Sequence, residues 1–183
     1  MKRAVYLIIL VIFLIFSNSV KPSTNGKTED PSAARFTRLN KNTSVIVIDP
    51  GHGGIDGGAT LNGLMEKDIN LEVAKRVQLL FVQAGCNVVM IREDDRDFGT
   101  SSKLLQRKRE DLAYRTQIAM DSYADIYLSI HGNSFPDPRQ YGPQVFYHPE
   151  SGEGKKLAES IQASLNKLST KKRVAKDNQS YYI

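Results

Sequence analysis

Apolar residues run unbroken over 45–48 and then give way to Asp49-Pro50-Gly51-His52-Gly53-Gly54. A β-branched run bounded by turn residues predicts a strand covered on both faces. The glycines let the backbone that carries His52 turn sharply around a ligand. Residues 55–64, with Gly57, Gly58 and Gly63, read as a loop. The period then changes: Ile69, Val73, Val77, Leu80, Phe81 and Ala84 recur at helical spacing, which predicts a helix over 68–84 that stops at Gly85. Residues 87–91 form a second apolar strand. The polar stretch 92–109 reads as a surface loop merging into a helix, its basic half 103–109 a solvated face. A helix over 110–122 turns Leu112, Ile118 and Ala119 inward. Residues 125–130 make a third strand that ends directly at His131, followed by a proline-containing loop, a short strand over 144–147 and an amphipathic helix over 155–168. The polar, basic stretch 169–178 carries no predicted element.

Strands alternating with helices predict βαβ units and an α/β fold with a largely parallel sheet. Ahead of the domain, Lys2 and Arg3 precede an apolar run over 4–16, and Ser17-Asn18-Ser19 follows as a cleavage candidate. That layout is a signal peptide over 1–19, or a short membrane anchor, although a span needs roughly 20 apolar residues. Residues 20–43, rich in Ser, Thr, Asn, Lys and Pro, read as a linker, and the folded domain occupies 44–183.

Composition adds little to this picture: 40% hydrophobic and 25% charged residues are those of a globular protein. The formal charge of +5 is dispersed, and without Lys2 and Arg3 it falls to about +3, compatible with an anionic wall or membrane surface. Export and the lack of a binding motif argue against nucleic acid as a partner. The single cysteine, Cys86, excludes an internal disulfide and reads as a small buried residue.

The chemistry lies at the strand ends. In parallel sheets ligands collect beyond the carboxyl ends of the strands, where His52 and His131 both fall. Glu66 stands at the entrance of the first helix, which runs back from the same rim. Two imidazoles and a carboxylate with an open fourth position are the ligand set of a catalytic zinc site, and they also suit other divalent ions. Asp49 reads as steadying the loop by accepting backbone N–H groups, and Arg92 and Arg115 as structural ion-pairing residues. His148, before Pro149, reads as a loop residue and not a ligand.

The motifs Val47-Ile48-Asp49-Pro50-Gly51-His52-Gly53-Gly54, Gly57-Gly58-Ala59, Glu66-Lys67-Asp68-Ile69-Asn70-Leu71 and Asp125-Ile126-Tyr127-Leu128-Ser129-Ile130-His131-Gly132-Asn133 closely resemble the zinc-dependent N-acetylmuramoyl-L-alanine amidases of the amidase_3 type. Within them, the compact body and Gln144-Val145-Phe146-Tyr147-His148-Pro149 look most like the spore-cortex, CwlD-like branch. The resemblance implies a three-layer sandwich, a mainly parallel twisted sheet flanked by helices, with Zn2+ held by His52, Glu66 and His131. It implies hydrolysis of the amide between muramic acid and the stem-peptide L-alanine of peptidoglycan, and it places Asn133 near the substrate. Implied surroundings are the cell wall or spore cortex, with membrane association through the N-terminal segment and an activator protein as further partners. The family's catalytic glutamate belongs to an apolar strand beyond Ile183, so the expectation is a C-terminally shortened domain without its last strand and helix. Glu150 and Glu153 read as solvent-facing loop charges. The alternative expectation is a zinc- and peptidoglycan-binding module with impaired catalysis; a metal-dependent deacetylase of the same polymer is a third.

Overall fold

The structure, a computed structural model, describes residues 43–132 and 141–178. The segment 1–19, the linker up to 42, Asn133 and residues 179–183 lie outside the described residues. In chain order the elements are β1 (Val45–Pro50), β2 (Thr60–Leu61), β3 (Leu64–Met65), α1 (Glu66–Gln83), β4 (Asn87–Met90), α2 (Leu104–Asp121), β5 (Ile126–Ile130), β6 (Phe146–Tyr147), α3 (Gly152–Asn166) and β7 (Lys176–Asp177).

β4, β1 and β5 pair in parallel in that spatial order, with β1 central. Every residue of β1 is buried, as its unbroken apolar run predicts. Alternation then divides the core. Ile46, Ile48, Leu128 and Ile130 pack with Ala74 of α1 and Ala158 of α3, whereas Val47, Ile91 and Tyr127 pack with Ile118 and Ala119 of α2 on the opposite face. The result is a three-layer α/β/α sandwich, as expected. From β1 the chain moves through α1 to β4 on one side, then through α2 to β5 on the other. The strand order therefore reverses beside β1, where α/β sheets open a crevice for ligands.

Several elements differ from expectation. The stretch expected to be a loop holds most of an antiparallel hairpin over 60–65, Thr60 opposite Met65 and Leu61 opposite Leu64. Its two-residue turn is Asn62-Gly63, with φ of 52° and 81°, the positive-φ pair that a tight hairpin turn demands. α2 begins at Leu104, six residues before the predicted start, because its first turns hold exposed Leu104 and Leu105 and present no apolar face to read. Leu112 and Leu80, expected inward, are 43% and 66% exposed. The stretch 169–178 contains β7, which pairs in parallel with β6; a two-residue strand of Lys and Asp leaves no hydrophobic signature.

These burials separate two leucine-sized truncations. Ile48→Ala, at a side chain with 0% exposure, is expected to cost about 2–5 kcal/mol of unfolding free energy. Leu112→Ala is expected to cost about 0.5 kcal/mol or less. Urea denaturation of the two variants measures the difference, and equal losses would contradict the orientation of α2.

Candidate metal centre

β1 and β5 deliver the two histidines. Pairing of Pro50 with Ile130 is extended one step by the Gly51 N–H donating to the Ile130 carbonyl at 2.9 Å. His52 and His131 therefore leave adjacent strands at one level, their rings edge to face with centroids 4.8 Å apart. α1 starts at the same rim. Its first two N–H groups, which have no partner within a helix, donate to the carbonyls of Ala59 and Gly57 at 2.8 and 3.2 Å. Glu66, the first residue of α1, is thereby aimed between the imidazoles.

One oxygen of Glu66, Oε1, lies 3.1 Å from His52 Nε2 and 3.1 Å from His131 Nδ1. The three ligand atoms fall within 4.8 Å of one another and make a cluster able to hold a metal ion. Glu66 is nearly buried, while the His52 and His131 side chains remain 22% and 25% exposed, so the cluster opens toward solvent on the imidazole side. The Glu66 carboxylate also accepts the Gly132 N–H at 3.0 Å and the Ala59 N–H at 2.9 Å. Close approach demands glycine nearby. A Cβ at Gly51 would stand 2.2 Å from the His131 ring, and one at Gly58 would stand 2.6 Å from His52 Cδ2.

The electrostatics favour a fixed, ionised carboxylate. Burial opposes charge on Glu66, but hydrogen bonds from His131, His52 and the Ala59 N–H hold its carboxyl far below the usual carboxylate range. For His52, burial pulls the imidazole down, and the hydrogen bonds to Glu66 and Asp56 more than offset it, leaving the group raised.

Beneath the histidine turn lies a buried charge network. Asp49 accepts from Arg115 of α2, from the Tyr127 hydroxyl at 2.6 Å and from the Ser129 hydroxyl at 3.3 Å. Its partners are side chains, not the backbone N–H groups expected. The loop is reached through Arg115, which donates to the Pro50 carbonyl at 3.1 Å and the His52 carbonyl at 2.9 Å and also pairs with Asp111. Arg115 thus ion-pairs as anticipated. Arg92 instead donates to the carbonyls of Pro50, Gly51 and Lys67. Asp95 and Asp97, in the stretch expected to be a surface loop, accept the N–H groups of Gly54 and Ile55 and close over the glycine turn.

The Amidase_3 family of N-acetylmuramoyl-L-alanine amidases matches residues 46–183. The chain belongs to this family. Over 126 residues it is 43% identical to the germination-specific N-acetylmuramoyl-L-alanine amidase of Bacillus subtilis (strain 168), covering 67% of this chain and 53% of that protein. With the amidase LytC of the same organism it shares 36% identity over 141 residues, 75% of this chain and 26% of the relative. The chain thus spans about half of one curated relative and about a quarter of the other. Among solved structures, the CwlD amidase from Clostridioides difficile, in complex with the GerS lipoprotein, superposes with a TM-score of 0.73 at 33% identity, covering 76% of this chain and 75% of that one.

Of the residues picked out from the amidase motifs, His52, Glu66 and His131 come together. His148 sits apart in the turn before α3, where its Nδ1 accepts the Glu150 N–H. Glu150 is exposed in that turn, and Glu153, in the first turn of α3 and not in a loop, pairs with Lys156. Two residues were missed. Asp56 Oδ2 lies within hydrogen-bond distance of His52 Nδ1 at 3.0 Å, and Lys108 pairs with Asp56 Oδ1 at 3.0 Å. Asp56 could have been noticed as a carboxylate four residues past His52 in a glycine turn. Lys108 left no local signal, because 103–109 reads as solvated charge.

The Asp49 network has a signed pH dependence. Burial raises the Asp49 carboxyl, but Arg115 and the Tyr127 hydroxyl outweigh it and leave the folded value depressed. Its stabilisation is therefore present above the unfolded carboxyl value of about 3.9 and is lost as pH falls through the lower folded value. Asp49→Asn, which removes one of the two carboxylates paired with Arg115, is expected to cost about 1.5–3 kcal/mol at neutral pH. The gap to the unmutated chain should narrow under acid. Urea denaturation across pH checks it, and a loss independent of pH would contradict the charge pairing.

Proposed function

We propose that this chain is an exported zinc-dependent N-acetylmuramoyl-L-alanine amidase that hydrolyses the amide between muramic acid and the stem-peptide L-alanine. The observation that carries the reading is the convergence of His52 Nε2, His131 Nδ1 and Glu66 Oε1 in a chain of the amidase family. The donor set fits zinc in type: ligand distances of about 2.0–2.2 Å place neighbouring ligands of a tetrahedron roughly 3.3–3.6 Å apart, between the two Glu66–His separations of 3.1 Å and the 4.8 Å that spans all three atoms. When bound, zinc supplies Lewis acidity to the attacking water and the scissile carbonyl near neutral pH.

The chain's own residues prepare that chemistry. Two backbone N–H groups and two imidazoles orient a Glu66 carboxylate that is ionised on arrival, so ordering it adds little at the moment of binding. The partly exposed imidazole edges leave a side open for a substrate amide. Family membership favours hydrolysis over a zinc- and peptidoglycan-binding module that does not cut.

The germination-specific relative supports spore-cortex peptidoglycan as substrate, with Asn133 contacting it. In this reading residues 1–19 serve as export signal or short anchor, 20–43 as linker and 44–183 as the catalytic domain. The solved neighbour's complex with a lipoprotein supports an activator protein as partner. No described helix is long and apolar enough to cross a membrane, so any anchoring would rest on the N-terminal segment.

Incubation of the zinc-loaded chain with purified spore-cortex peptidoglycan should release peptides with a free N-terminal L-alanine. His52→Ala and His131→Ala should each weaken zinc retention and abolish peptide release. Zinc-loaded chain that releases no peptide would overturn the hydrolytic reading, and acetate in place of peptide would identify a deacetylase.

A further inference from the structure

His52 is gripped from two directions, and only one of its ring nitrogens faces the ligand cluster. Its Nε2 points to Glu66, whereas its Nδ1 lies 3.0 Å from Asp56 Oδ2. The other Asp56 oxygen is occupied as well: Oδ1 accepts from Lys108 Nζ at 3.0 Å and from the Gly58 N–H at 3.4 Å. With both oxygens held, the carboxylate has a fixed plane and is not available to turn toward the cluster as a ligand.

We propose that Asp56, braced by Lys108, is the positioning residue that selects the His52 tautomer competent to bind the metal. The inference rests on the zinc reading above. A neutral imidazole carries one proton, and each ring nitrogen faces a carboxylate, Nδ1 that of Asp56 and Nε2 that of Glu66. A metal held beside Glu66 Oε1 and His131 Nδ1 would need the Nε2 lone pair, and Asp56 is the acceptor that keeps the single proton at Nδ1. The opposite tautomer would set a lone pair against the Asp56 carboxylate and drive an N–H into the ligand cluster.

Lys108 and Arg115 stand seven residues apart, two turns along one face of α2. Lys108 holds the His52 ring through Asp56 while Arg115 holds the His52 carbonyl at 2.9 Å. His52 needs such a grip, because its φ of 64° is a left-handed conformation that a side chain other than glycine adopts at a cost. Asp56 also closes a local turn with Gly58 N–H, so a purely structural role is the competing explanation.

The test measures zinc affinity of the full chain by competition with a chromophoric chelator, alongside thermal melting of the metal-free chain and the visible spectrum with cobalt(II). Asp56→Ala should weaken zinc binding about 10–100-fold, alter the cobalt spectrum and leave metal-free melting close to that of the unmutated chain. Asp56→Asn, which keeps an acceptor oxygen but loses the charge, should fall between. Lys108→Met should weaken zinc in the same direction by a smaller factor, and Lys108→Arg should restore it. If Asp56→Ala does not fold, Asp56→Asn and the two Lys108 variants decide. Zinc affinities within about two-fold of the unmutated chain, or losses matched by metal-free melting with no rescue by Lys108→Arg, would overturn the positioning role alone. An unmutated chain that binds no zinc would overturn the metal reading and this inference together.

Discussion

Parallel pairing of β1 with β5 is the constraint on which the rest depends. Register places Asp49 beside Ser129 and Pro50 beside Ile130, and the strands then release one histidine each at one level. A slip of one residue would flip every side chain to the other face of the sheet. If β1 slipped against β5, Ile48 would leave the α1 and α3 layer, and Asp49 would leave Arg115 and Tyr127. Core packing and ligand placement are therefore two consequences of one register, and neither can drift without the other.

The turn that follows β1 is held by charge as much as by packing. Arg92 and Arg115 are almost fully buried, at 2% exposure each, and both donate to carbonyls of the 50–52 backbone. Burying guanidinium groups is costly unless their hydrogen bonds are met. Here the acceptors are carbonyls of that turn, together with the Asp49 and Asp111 carboxylates. Asp95 and Asp97 complete the clasp from the opposite side by accepting N–H groups of the same loop. The His52 turn is thus fixed by α2, by the start of α1 and by the 92–97 segment at once. This leaves the three candidate ligands oriented by the protein alone.

The order of strands and helices was legible in the amino-acid sequence, because β1, β4 and β5 are short apolar runs and α1 carries helical spacing. The convergence of the three candidate ligands was legible for a topological reason, since each sits at a strand end or helix start on one rim. What escaped reading is what depends on partners distant in sequence. Lys108 looks like one of many solvated cations until Asp56 is placed beside it, and Asp49 looks like a loop acceptor until Arg115 arrives from α2. β7 is too short and too charged to announce itself. The Asn62-Gly63 hairpin was readable in principle, but exposed Leu61 and Leu64 give it no alternation of buried and solvated positions.

Family membership and site geometry meet in Glu66, whose single oxygen Oε1 approaches both imidazoles. The most direct measurement of this account is X-ray absorption at the zinc edge on the zinc-loaded chain, compared with the His131→Ala variant. The account predicts a nitrogen and oxygen shell with the outer-shell scattering of two imidazoles, one of which disappears in the variant. A shell containing sulfur from Cys86, or imidazole scattering that His131→Ala leaves unchanged, would contradict it.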